Sequence, residues 1–131
     1  MKYLPPFDKI RSRMTLATVR GSVTASASYT EFQVLIRTLL AGIEVDEVWY
    51  LEQNPDIAEA IKAGIVGSAK QHFVYDGYFE GRRPFPIAVD EAFYLAQYPE
   101  VAEAIQDGRL ESAQQHFDEN GYREGRLPYP L

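Results

Sequence analysis

No cysteine occurs anywhere in the chain. Its absence removes disulfides, thiolate metal sites and thiol catalysis, and it fits a reducing compartment. Histidine is nearly as scarce, with two residues. Positive charge is short as well: 13 Lys and Arg stand against 19 Asp and Glu, a net charge of −6. Duplex nucleic acid is bound by clustered cations that release counterions, so it is a disfavoured partner. The best basic run, Lys9 to Arg13, is too short to reverse this. No apolar run approaches the length of a membrane span, which speaks against insertion. The N-terminal stretch MKYLPPFDKIRSRM has no apolar core and no small-residue cleavage site, so it does not read as a signal peptide, and the cytoplasm is the expected location. Glycines are isolated rather than gathered into a phosphate loop. Asp76-Gly77 and Asn120-Gly121 lack the oxygen-ligand series of a calcium loop. No catalytic residue, cofactor or metal is therefore expected.

What the chain does hold is a duplication. Residues Val45 to Ile87 and Val89 to Leu131 align without a gap at a constant offset of 44 positions, Val45 falling on Val89. A period of this length marks a helical repeat array, in which one unit cannot bury its apolar face alone. Such arrays mostly bind partners rather than transform them. The 46% hydrophobic content is ordinary for a globular protein and excludes wholesale disorder.

Four segments follow: an arm over residues 1–27, a helix region over 28–44, and repeats over 45–88 and 89–131. Pro5 and Pro6 argue against a helix in the arm. The Thr- and Val-rich stretch of residues 14–25 reads as a hairpin turning near Arg20-Gly21, or as a flexible arm. Ser28 and Glu31 form a capping box, Phe32, Leu35, Ile36, Leu39 and Leu40 recur at helical spacing, and Gly42 is expected as a left-handed stop. This predicts a helix over about 29–41. Each repeat parses into three short helices. Asp46 and Asp90 cap the first. Asn54 before Pro55 reads as a good cap for the second, Tyr98 before Pro99 as a poor one. Gly64 and Gly108 end the second helix. Ser68 with Gln71, and Ser112 with Gln115, box the third, which runs to Gly77 and Gly121 as expected left-handed caps. The fold expected is all-α, an N-terminal helix plus two stacked three-helix repeats, preceded by the hairpin or arm.

His72 and His116 occupy equivalent positions. They offer a general base or a metal pair, but each lies on an apolar face beside Phe73 or Phe117. The favoured reading is a packed ring bonded to a backbone carbonyl. Arg82 and Arg126, in the Glu-Gly-Arg turns, could present guanidinium groups to an anion. The competing reading ties them to a carboxylate early in the repeat, Asp46 or Asp90. Gly81 and Gly125 supply the positive φ of a tight turn. Nine Tyr, seven Phe and one Trp make a large aromatic set. Most sit at positions shared by both copies and belong to the core, whereas Tyr75, Phe79 and Tyr98 differ between copies and are freer to face a partner. Tyr75, Phe79, Arg82, Tyr98 and Arg126 are thus the candidate binding surface, and His72, His116, Gly77 and Gly121 are structural. The apolar helix and the arm together predict self-association through the N-terminal part.

Asp46, Tyr50, Leu51, Asn54, Pro55, Asp56, His72, Phe73, Gly77, Glu80, Gly81, Arg82 and Pro84 carry a resemblance. So do Asp90, Tyr94, Leu95, Pro99, His116, Phe117, Gly121, Glu124, Gly125, Arg126 and Pro128. The repeat resembles a short bacterial module of the form DxxYYLxxNPDVAxA…HYxxxGxxEGRxP, attached to glycosyltransferases of surface-polysaccharide synthesis and found in some secreted calcium-repeat proteins. Tyr98 and Glu100 depart from it, where the module has Asn and Asp. The resemblance implies a non-enzymatic, protein-binding or scaffolding role near polysaccharide synthesis, with a glycosyltransferase as partner. The alternative is a small glycan- or anion-binding domain using exposed aromatics and the Glu-Gly-Arg turns.

Overall fold

A computed structural model describes residues 2–131. The chain is predominantly helical, with one two-stranded antiparallel hairpin. It divides into two compact units, one ending at Phe85 and one spanning Pro86–Leu131. The first holds the N-terminal region and the first repeat, the second holds the second repeat.

In the first unit, α1 (Phe7–Arg11) starts directly after the two prolines, with Pro6 as its N-cap residue. The expectation that Pro5 and Pro6 deny a helix is corrected: proline's fixed φ suits the residue before a helix, and its missing N–H costs nothing there. Strands β1 (Thr15–Val19) and β2 (Ser22–Ser26) pair in register, Thr15 opposite Ser26 and Val19 opposite Ser22. Arg20 at φ 50° and Gly21 at φ 81° make the two-residue turn, both central residues being left-handed as a type I′ turn requires. Every strand residue is exposed. Helix α2 (Tyr29–Leu40) is capped by Ser28, whose hydroxyl accepts from the Glu31 N–H at 3.1 Å. The Glu31 carboxylate pairs with Arg13 at 3.4 Å rather than returning to the Ser28 N–H, so only half of the expected capping box forms. Gly42 is not the left-handed stop that its place predicts; a β-carbon there would collide with the carbonyl oxygen of Tyr3, because the N-terminal segment crosses at this point and Lys2 N–H donates to Gly42 O.

The repeat that follows is built by its caps. Asp46 accepts from Trp49 N–H at 3.0 Å and starts α3 (Glu47–Gln53). Helix α4 (Pro55–Lys62) begins with proline and ends at Gly64, φ 73°. Ser68 accepts from Gln71 N–H to start α5 (Ala69–His72), while Gln71 Oε1 reaches back to Gly67 N–H. At Phe73 the helix widens into a π turn, Phe73–Gly77, whose carbonyl at Phe73 accepts from Tyr78 N–H five residues on. Gly77 is therefore not the left-handed cap that was expected. Left-handed geometry falls instead on Gly81, at φ 82°. The repeat closes on itself when Asp46 N–H donates to Pro84 O at 2.9 Å. Leu40, Tyr50, Ile57, Ala69, Phe73 and Val74 form the core, with Ile36, Ile43 and Val45 packed against it.

The second unit repeats this plan in α6 (Glu91–Gln97), α7 (Pro99–Gln106) and α8 (Ala113–His116), followed by a π turn over Phe117–Gly121. Asp90 caps, Gly108 and Gly125 are left-handed at φ 75°, and Asp90 N–H donates to Pro128 O at 2.9 Å. Its core is Tyr94, Val101, Ala113 and Phe117. The backbone angles of the equivalent N-cap residues agree to within 8°, for example φ −161° at Ser68 and −160° at Ser112.

Candidate functional site

In the first repeat, polar residues shared by both copies converge on one network. Tyr50, on α3, is fully buried, and its hydroxyl lies 2.9 Å from His72 Nδ1. His72 Nε2 lies 3.3 Å from the Glu80 carboxylate. Glu80 also takes Arg82 through Nε at 3.2 Å and Nη2 at 3.0 Å. The far edge of the guanidinium grips Asp56 with two parallel bonds, 3.0 and 2.9 Å, and donates to Asn54 Oδ1 at 2.9 Å. The chain thus runs Tyr50, His72, Glu80, Arg82, Asp56 and joins α3, α5, the closing turn and the start of α4.

The partners differ from those expected. Arg82 is held by Asp56 and Asn54, not by Asp46, whose carboxylate is occupied as an N-cap. Likewise Arg126 pairs with Glu100 and Glu124, not with Asp90. His72 binds a hydroxyl and a carboxylate rather than a backbone carbonyl. Asn54 does not cap α4 through its side chain; its amide donates to Tyr50 O and its oxygen serves Arg82.

Electrostatics follow the geometry. Burial pushes the Tyr50 hydroxyl up to about 12, and it raises Tyr94 for the same reason. The Arg82 hydrogen bond holds Asp56 below the usual carboxylate range, and Asp56 in turn raises Arg82. Glu100 and Arg126 act on each other in the same way.

The second repeat keeps the Tyr–His and Arg–carboxylate pairs, but the contact that joins His72 to Glu80 has no counterpart between His116 and Glu124. Tyr94 and His116 are 2.7 Å apart. Where the first copy has Asn54 and Asp56, the second has Tyr98 and Glu100. Arg126 loses the amide acceptor and gains an aromatic face, its guanidinium lying 4.6 Å from the Tyr98 ring centre. The Tyr98 hydroxyl accepts from Leu127 N–H at 2.9 Å and its ring packs on Tyr94. Tyr98 is therefore part of the unit's packing rather than free for a partner.

Tyr75 and Phe79 belong to the seat of α2. Arg37 donates to the Tyr75 carbonyl at 2.9 Å, and its guanidinium lies 5.2 Å from the Tyr75 ring and 5.1 Å from the Phe79 ring. Tyr75 remains 58% exposed, so it alone of the three aromatics keeps an open face. An open cleft of about 200 Å³ beside it is lined by Ile65, Val66, Gln71, His72 and Asp76. The His72 ring in its lining is buried, with Nδ1 bonded to Tyr50 and Nε2 beside the Glu80 carboxylate. Among the described residues, no group of three or more His, Asp or Glu could hold a metal ion, and no helix is long and apolar enough to cross a membrane.

One pair escaped sequence reasoning. Glu47 reaches from α3 to accept from the Ala69 and Lys70 N–H groups, at 3.0 and 3.1 Å, and Glu91 does the same toward Ala113. A carboxylate at identical places in both copies was the available signal. No family model, curated protein or solved structure matches the chain.

Proposed function

We propose that the chain is a non-enzymatic protein-binding or scaffolding module that self-associates through its N-terminal segment. The observation that carries this reading is where apolar surface is left uncovered. Tyr3, Leu4, Phe7, Leu16, Val19, Val23, Tyr29 and Phe32 are all exposed, at 45–74%. That is half of the exposed large hydrophobics found among the described residues, gathered in the first quarter of the chain. Scattered single residues need no explanation, but a run of this density on one segment marks an interaction surface.

The polar residues support the same reading from the other side. His72, Arg82 and Arg126 are engaged within their own repeats, which weighs against a general base and against the anion-binding alternative. The setting implied by the resemblance is bacterial surface-polysaccharide synthesis, with a glycosyltransferase as a further partner.

Light scattering on the full chain and on a variant lacking residues 2–27 tests the reading. The expected result is a full-length dimer and a monomeric variant. A full-length monomer at high concentration overturns it. Binding of the purified chain to a polysaccharide glycosyltransferase, set against a glycan array, tests the setting.

A further inference from the structure

We infer that self-association proceeds edge to edge through β2, two copies joining their hairpins into one four-stranded antiparallel sheet. This rests on the self-association proposed above and names its mode.

The hairpin is unusual in being uncovered on both faces and both edges, all ten strand residues being exposed. Two strands alone are marginal in water, and three or more are needed for a stable sheet. Exposed edges are normally guarded by charge, proline or a bulge. This one has none of these: between Met14 and Ser28 the only charge is Arg20, which sits in the turn, and the register runs unbroken from Thr15–Ser26 to Val19–Ser22.

The register fixes which groups point outward. Residues flanking a two-residue turn exchange both hydrogen bonds, and bonded pairs then alternate along the ladder. Val19–Ser22, Ala17–Thr24 and Thr15–Ser26 are therefore the bonded pairs. Val23 and Ala25 aim their N–H and C=O groups away from β1, as Leu16 and Thr18 do on the other edge. The β2 edge also carries the most exposed large apolar side chain of the hairpin, Val23 at 72% against 52% for Val19 and 45% for Leu16.

A second copy is the occupant that fits. Antiparallel pairing of β2 with itself about a two-fold axis through Thr24 sets Val23 opposite Ala25 of the other copy, satisfies the outward groups of both residues in both copies, and closes as a dimer. It also matches an uncharged edge to an uncharged edge and holds the two Arg20 turns at opposite ends of the sheet. A charged peptide would find no counter-charge along this edge.

The test uses the natural absence of cysteine. Thr24 would face its own copy in a non-bonded pair, where Cα atoms are about 4.5 Å apart, within disulfide reach. Under mild oxidation, full-length Thr24→Cys should form a covalent dimer rapidly, while Ser22→Cys and Ala17→Cys should not. Ala25→Lys should weaken dimerisation at least about tenfold, as a guarding charge does on a natural edge. If the natural chain is a monomer, self-association and this mode both fall. If it dimerises but Thr24→Cys links no faster than Ser22→Cys, self-association stands and the β2 edge is wrong. Preferential linking of Ala17→Cys moves the contact to β1 and likewise overturns the proposal.

Discussion

The hydroxyl of Tyr50 occupies the place that a β-carbon on Gly77 would need. The same holds for Tyr94 and Gly121 in the second unit. The glycine in each π turn is thus a matter of room rather than of left-handed backbone.

Gly77→Ala is expected to destabilise the chain by roughly 2–4 kcal/mol, because the new methyl displaces a buried hydroxyl and leaves His72 Nδ1 without its hydrogen-bond partner. Urea denaturation followed by circular dichroism measures it. A loss below about 0.5 kcal/mol, within the range of ordinary surface substitutions, would show that the tyrosine can move aside without penalty.

Alkaline pH should expose the same hydroxyl. The Tyr50 value is raised in the folded chain to about 12, from an ordinary 10.0. A raised folded value means that the contribution is fully present below pH 10 and is lost as pH rises from there through the folded value. The loss amounts to roughly 2–3 kcal/mol. Stability measured from pH 9 upward should fall less steeply in Tyr50→Phe than in the natural chain. Parallel profiles would contradict the assignment.

Arg82→Lys is expected to cost roughly 1–2 kcal/mol although charge is kept, since an ammonium cannot span Asp56, Asn54 and Glu80 together. Thermal unfolding at low and at 1 M salt separates geometry from charge. A loss that vanishes in high salt would mean that Coulomb attraction alone had mattered.

Val74 is buried in the first unit's core, whereas Asp118 holds the equivalent exposed position in the second. Val74→Asp places a charge where α2 packs, and it should release α2 while leaving α3 and α4 folded, at a cost of about 3 kcal/mol or more. Hydrogen exchange resolves this: protection of Leu35 to Leu40 should collapse and that of Tyr50 should survive. Equal loss at both would mean that the unit unfolds as one.

The caps were legible in the sequence because each is a local bond between a named side chain and a backbone N–H three residues on. Ser28, Asp46, Ser68, Asp90 and Ser112 accept as expected, whereas the return bonds of the boxes do not form as expected: Glu31 turns to Arg13, and Gln71 and Gln115 reach one residue beyond the cap. The hairpin was legible from its turn dipeptide and its β-branched strands. The partners of Arg82 and His72 were not, since nothing local couples Asp56 to Arg82 across 26 residues. The π turn was missed as well. Its only trace is a glycine that also fits an ordinary helix end, and the reason for that glycine lies on a different helix.

The bonds from Asp46 to Pro84 and from Asp90 to Pro128 bring the start of each repeat beside its closing turn. A segment with that property meets the rest of a polypeptide at a single point. It can be copied, or spliced into a host loop, without prying the host's flanking chain apart, which is the condition under which insertions are best tolerated. One such segment standing immediately after another in this chain is what that portability would leave behind.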